Sequence, residues 1–98
     1  MKKDHHHTMY TELFTTLANI HDADTMVRFM KDLCTPQEIK AIAERWHVCQ
    51  ILNQGDLSYR EINAKTGVSL ATITRVARFL KDEQNFGYKN VLEKQNAR

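Results

Sequence analysis

Five basic residues, Arg60, Lys65, Arg75, Arg78 and Lys81, fall between positions 57 and 81, where Glu61 is the single acid and the local net charge is +4. The whole 98-residue chain carries only +2, because the first 56 residues hold six basic against eight acidic side chains and the last 17 hold three of each. Overall charge is therefore uninformative, and its concentration in one segment is the signal. Cations set together against phosphates displace counterions, which is the main source of affinity for a nucleic-acid backbone. A solvated helix face is the plainer alternative, but Arg75 has Ala71, Thr72, Arg78 and Phe79 at its helical neighbour positions and no acid among them. Arg75 and Arg78 repel each other at i,i+3, so the natural partner is an anion from outside the helix.

Other reactive side chains do not assemble into a chemistry. His47 and Cys49 are two residues apart on an expected helix, hence on different faces, and cannot chelate one ion together. His5, His6 and His7 form a short polar tract, expected to be part of a disordered start at 1–7. His21, Asp22 and Asp24 read as a polar joint between helices. Neither a serine nor a cysteine has a recognisable base beside it, so the sequence carries no case for an enzyme, a catalytic residue, a cofactor or a metal site. Cys34 and Cys49 lack metal or redox spacing and are expected as reduced, mostly buried thiols.

The elements that position the basic residues are helices. Ser58 and Glu61 are spaced as a capping box, Gly67 stands where a tight turn needs positive φ, and Ser69 can cap a second helix running to Lys81. Residues 58–81 thus read as a helix-turn-helix, with Ile62, Val68, Ile73 and Val76 packing its two helices together. Leu70, Ala71, Thr72, Thr74, Arg75 and Arg78 are left for other faces of the second helix, a start small enough to enter a DNA major groove. Upstream, apolar stripes predict helices over 8–20 (Met9, Leu13, Leu17, Ile20) and 25–33 (Met26, Phe29, Met30, Leu33). A third begins at Thr35 and Pro36 with Glu38 closing a capping box, and runs to about residue 53 with Ile39, Ile42, Trp46 and Cys49 on one stripe. Gly55 ends it. A last short helix covers 86–93, with Phe86, Val91 and Leu92 available for packing, and 95–98 are expected to fray.

With three glycines, one proline and no alternating run, the chain is expected to be all-α, a single domain over 8–94 built from about six short helices. It has no apolar run near the length of a membrane span and no signal-peptide pattern, so a cytoplasmic location with no membrane partner is expected. Trp46 and the four methionines read as core residues. Most of these helices are too short to stand alone and each has a wide apolar face. A homodimer supplies the missing core and sets two recognition helices roughly 34 Å apart, one turn of DNA.

The stretch 33–81 resembles the Trp repressor superfamily. The resemblance is carried by Thr35-Pro36, Arg45, the turn Gly55-Asp56-Leu57-Ser58, Arg60-Glu61-Ile62 and the string Ala71-Thr72-Ile73-Thr74-Arg75; Leu33-Cys34-Thr35 and the segment near Arg78 are similar to its YerC/YecD-type branch. What the resemblance implies is an intertwined all-α homodimer that binds double-stranded operator DNA through its fourth and fifth helices. It implies DNA-facing roles for Arg60, Asn63, Leu70, Ala71, Thr72, Thr74, Arg75 and Arg78, with Tyr59 and Asn63 changed in chemistry from the family pattern. Small side chains at Ala71 and Thr72 allow contact with thymine methyls but offer few donors, leaving much of the discrimination to phosphate contacts, water and DNA shape.

For a ligand the carry-over is poorer. The resemblance assigns a pocket to Thr35, Arg45, Arg75, Val76 and Phe79, in which a ligand ring lies between Arg45 and Arg75. Val76 replaces the family's glycine, Phe79 a serine and Asp32 an apolar wall residue, so bulk and charge are expected to close the pocket to tryptophan. The expected function is a transcriptional repressor that does not respond to tryptophan. Three other readings stay open on the sequence: a regulator gated by another small-molecule corepressor, an architectural or replication-linked DNA binder, and a protein-interaction module that no longer meets DNA.

Overall fold

A computed structural model describes residues 5–96 as six helices with no strand among the described residues: α1 (His5–Ala18), α2 (Ala23–Leu33), α3 (Pro36–Gln54), α4 (Tyr59–Thr66), α5 (Leu70–Lys81) and α6 (Gly87–Asn96). The chain separates into two compact units, divided between Ile39 and Lys40 within α3. Of the expected disordered start, residues 1–4 lie outside the described residues, while 5–7 form the first turn of α1. That turn has local support: the His6 ring stacks on Tyr10 at 6.2 Å and the Thr11 hydroxyl donates to the His7 carbonyl at 2.9 Å. Likewise α6 continues to Asn96 through two of the residues expected to fray, and 97–98 lie outside the described residues.

In the first unit, α2 starts two residues ahead of expectation because Asp22 is its N-cap. The carboxylate accepts from the Thr25 backbone N–H at 2.8 Å, and that bond holds the Asp22 carboxyl below its usual range. The start of α3 is as the sequence reads: the Thr35 N–H donates to Glu38 at 2.8 Å and the Glu38 N–H to the Thr35 hydroxyl at 3.1 Å. The apolar stripes are present but only partly covered. Among the described residues of α1 and α2 none is buried; Leu13, Leu17, Met26, Phe29 and Met30 are half-buried, and Tyr10, Phe14 and Val27 are exposed. Helices of 14 and 11 residues have little stability without such a face being covered.

The second unit holds the buried core. Val48, Cys49 and Leu52 of α3, Ile62 of α4, Val68 of the turn, Ile73, Val76, Ala77 and Leu80 of α5, and Leu92 of α6 form one cluster, with Trp46, Ile51, Leu57 and Tyr88 packed against it. Ile62 and Ile73 are fully buried, and truncating either to alanine would cost about 2–5 kcal/mol. Two sequence expectations are corrected here. Ile42, placed on the core stripe of α3, is exposed, because this core engages α3 only from Trp46 onward. Phe86, just ahead of α6, and Val91 within it are exposed, and Leu92 with Tyr88 does the packing; Phe86 has φ 59°, which turns the chain sharply into the helix.

Candidate nucleic-acid interface

Local chemistry builds the helix-turn-helix. The Ser58 N–H donates to Glu61 Oε1 at 2.8 Å and the Glu61 N–H to Ser58 Oγ at 3.1 Å, so the start of α4 is capped in both directions. Gly67 then adopts φ 78° and ψ 0°, a left-handed conformation costly for any residue with a Cβ, and its N–H returns to the Asn63 carbonyl at 2.9 Å. Ser69 caps α5 by accepting from the Thr72 N–H at 3.1 Å. Ile62, Val68, Ile73 and Val76, expected to lock the two helices, are each at most 3% exposed.

This packing leaves one set of side chains outside. Arg60, Leu70, Ala71, Thr74, Arg75 and Arg78 are all exposed, together with Lys65 and Lys81. Leu70 is 46% exposed at the first position of α5. Arg60 and Arg75 make no ion pair with any described residue. Arg78 differs from expectation: its Nε lies 3.5 Å from Glu83 Oε2, an acid beyond the end of the helix that helical spacing did not bring into view. Both partners are about half exposed, so the pair is weak and an external phosphate can compete for the arginine.

Two of the residues assigned to DNA are committed inside the motif. The Asn63 amide Nδ2 donates to the Val68 carbonyl at 2.8 Å, clamping α4 across the turn to the segment that enters α5. Thr72 is half-buried, and its hydroxyl accepts from Ser69 Oγ at 3.1 Å. Thr66 completes the turn, donating to the Ile62 carbonyl at 2.7 Å and accepting from the Val68 N–H at 3.0 Å. A threonine one residue before a helix-ending glycine is a turn signal that the sequence reading passed over.

The residues assigned to a ligand pocket are dispersed in role. Val76 is 1% exposed, a core residue. Thr35 is spent on capping α3. Arg45 is half-buried and Arg75 exposed; both act on the Tyr88 phenol, whose pKa is pushed up by burial and by Cys49 and drawn back by the two guanidinium charges. Phe79 is half-buried, with the Arg75 guanidinium 4.3 Å and the Arg78 guanidinium 5.0 Å from its ring centroid. The spacing of Arg75 and Phe79 at i,i+4 was visible in the sequence. Beside them, Trp46, Phe79, Asn85, Gly87, Tyr88 and Val91 line an open, mainly apolar cleft of about 500 Å³, in which the Trp46 and Tyr88 rings stand 6.3 Å apart.

A capped α4, a left-handed glycine elbow and a basic α5 are shared by many DNA-binding proteins, and comparison decides among them. Residues 8–96 match the family model described as Trp repressor protein. The chain belongs to the Trp repressor family. It is 37% identical over 83 residues to the uncharacterized protein YerC of Bacillus subtilis, covering 85% of this chain and 78% of that one. It is 34% identical over 87 residues to a Trp operon repressor homolog of Aliivibrio salmonicida, covering 86% and 81%. Among solved structures, a TrpR-like protein from Eubacterium eligens superimposes with a TM-score of 0.83 at 34% identity, covering 91% of this chain and 90% of that one. Trp repressor family membership makes this chain one of a group of DNA-binding regulators and confirms the all-α fold read from the sequence. Among the described residues, no helix is long and apolar enough to cross a membrane.

Proposed function

We infer that this Trp repressor family member is a homodimeric transcriptional repressor that binds operator DNA through α4 and α5 and does so without tryptophan. The observation that carries the reading is the exposed set Arg60, Leu70, Ala71, Thr74, Arg75 and Arg78 on a rigidly capped helix-turn-helix. In this reading Leu70 and Ala71 approach the major groove, while Arg60, Thr74, Arg75 and Arg78 meet phosphates on its walls. Asn63 and Thr72 act one step removed, holding the turn that aims α5. Residues 8–94 work as one dimerising domain, with the exposed apolar side chains of α1 and α2 buried against a second copy.

Tryptophan independence is supported by the buried Val76 and by Phe79, which already stacks against Arg75. A second reading, a regulator gated by another small apolar molecule, is favoured by the open cleft of Trp46, Phe79 and Tyr88. A thermal-shift screen of metabolites separates the two.

The deciding experiment selects bound duplexes from a random DNA pool and then titrates the selected site at several salt concentrations. Arg60→Ala and Arg75→Ala should each weaken binding and flatten the slope of log K against log salt by about one unit for each phosphate left without its cation. Unchanged affinity in both variants would sink the assignment.

A further inference from the structure

Phe79 stands at the junction between the exposed basic face of α5 and the core. Its neighbours Val76, Ala77 and Leu80 are buried, and the ring itself is half-buried. The guanidiniums of Arg75 and Arg78 lie 4.3 Å and 5.0 Å from its centroid, both inside the range of about 6 Å over which a ring face attracts a cation. Two positive groups converge on one ring in spite of their mutual repulsion. The negative face of the ring offsets that repulsion, and an arriving anion would offset it further.

Free arginine side chains lose rotamer freedom when they grip a phosphate, and any group that orders them beforehand lowers the cost of binding. We propose that Phe79 is a positioning residue for DNA binding, whose ring gathers Arg75 and Arg78 into a preformed phosphate-binding pair without help from a bound small molecule. This rests on the reading of α4 and α5 as the DNA interface, and it adds a device that makes the interface constitutively ready. The ring already stands 4.3 Å from the Arg75 guanidinium in the free chain, so affinity is built into the chain and is not switched by ligand supply. Glu83, 3.5 Å from Arg78, keeps that arginine paired until a phosphate displaces it.

The test uses the full-length chain and a fluorescein-labelled mixed-sequence DNA duplex at low salt. Phe79→Leu keeps apolar bulk and removes the ring; with two exposed cation–π contacts at stake, duplex affinity should fall roughly five- to thirtyfold. Phe79→Tyr keeps the ring and should bind as the wild type does, and Phe79→Met repeats the comparison should leucine pack poorly. In an Arg75→Ala, Arg78→Ala background, Phe79→Leu should cause no further loss, because the ring then has nothing to position. An equal loss in that background, or in Phe79→Tyr, would assign Phe79 a packing role and overturn the proposal. Full affinity in Phe79→Leu alongside weakened binding in Arg75→Ala would overturn it too, while leaving the DNA interface standing. Failure of the wild-type protein to bind any duplex would refute the interface itself.

Discussion

Asn63 offers the sharpest separation between a residue that touches DNA and one that shapes the element that does. Its side-chain amide donates to the Val68 carbonyl at 2.8 Å from a half-buried position, and Val68 is 3% exposed. In Asn63→Ala the lost hydrogen bond and the stranded carbonyl together cost about 1–2 kcal/mol. Alanine is the better helix former inside α4, which returns roughly half a kcal/mol. The net loss is about 1 kcal/mol, or roughly 4–8 °C in Tm for a domain of this size. Thermal melts followed by circular dichroism at fixed protein concentration measure it. The salt slope of DNA binding should stay at its wild-type value, since every phosphate keeps its cation. Asn63→Asp sharpens the test, because an introduced carboxylate would face the Val68 carbonyl with no proton to donate. That repulsion raises the new carboxyl's pKa in the folded state above its unfolded value of about 4. The variant should therefore regain stability relative to wild type as pH falls toward that unfolded value, and lose it as pH rises through the raised folded one. Unchanged melting in Asn63→Ala, with DNA affinity weakened at an unchanged salt slope, would show that the amide serves DNA and not the turn.

Calorimetry with tryptophan should give no binding heat for the wild-type protein; micromolar binding would promote a tryptophan corepressor over the ligand-independent reading. Sedimentation should find a dimer at micromolar concentration, and removal of residues 1–33 should give an aggregating or unfolded chain; a well-folded monomer from that truncation would exclude exchange of the N-terminal helices between subunits. Burial pushes the Cys49 thiol up to about 11. A thiol raised in the folded state stabilises below its unfolded pKa and loses that contribution as pH climbs through the folded value, so stability should drop between about pH 9 and 11, and Cys49→Ser should abolish this component of the drop. At neutral pH a thiol reagent should modify half-buried Cys34 and spare fully buried Cys49.

Among the readings of the chain, the caps and the turn that rest on neighbours within four residues at 35–38 and 58–72 survive intact in the structure. The capping boxes at Thr35 and Ser58, the cap at Ser69 and the elbow at Gly67 are each closed by bonds spanning three or four residues, so their sequence spacing nearly dictates their geometry. The same holds for the packing quartet of the helix-turn-helix, because two short helices joined by a tight left-handed turn have few ways to meet. The charge cluster of α5 needs no fold to be counted. What tertiary structure alone decided lies where one side chain has several partners within reach and packing chooses among them. Ile42 satisfies the same helical periodicity as Trp46 and Cys49, yet the core engages α3 only along its later turns. Asn63 can face solvent or the turn, and the position of the Val68 carbonyl settles it. Arg78 finds Glu83 across the end of its helix, outside the i,i+3 and i,i+4 relations that a helical wheel displays. Phe79 was legible as bulk. That its ring stands half-buried at the edge of the core depends on the burial of Val76, Ala77 and Leu80, which fixes the rotation of α5 about its own axis, and no local pattern encodes that rotation.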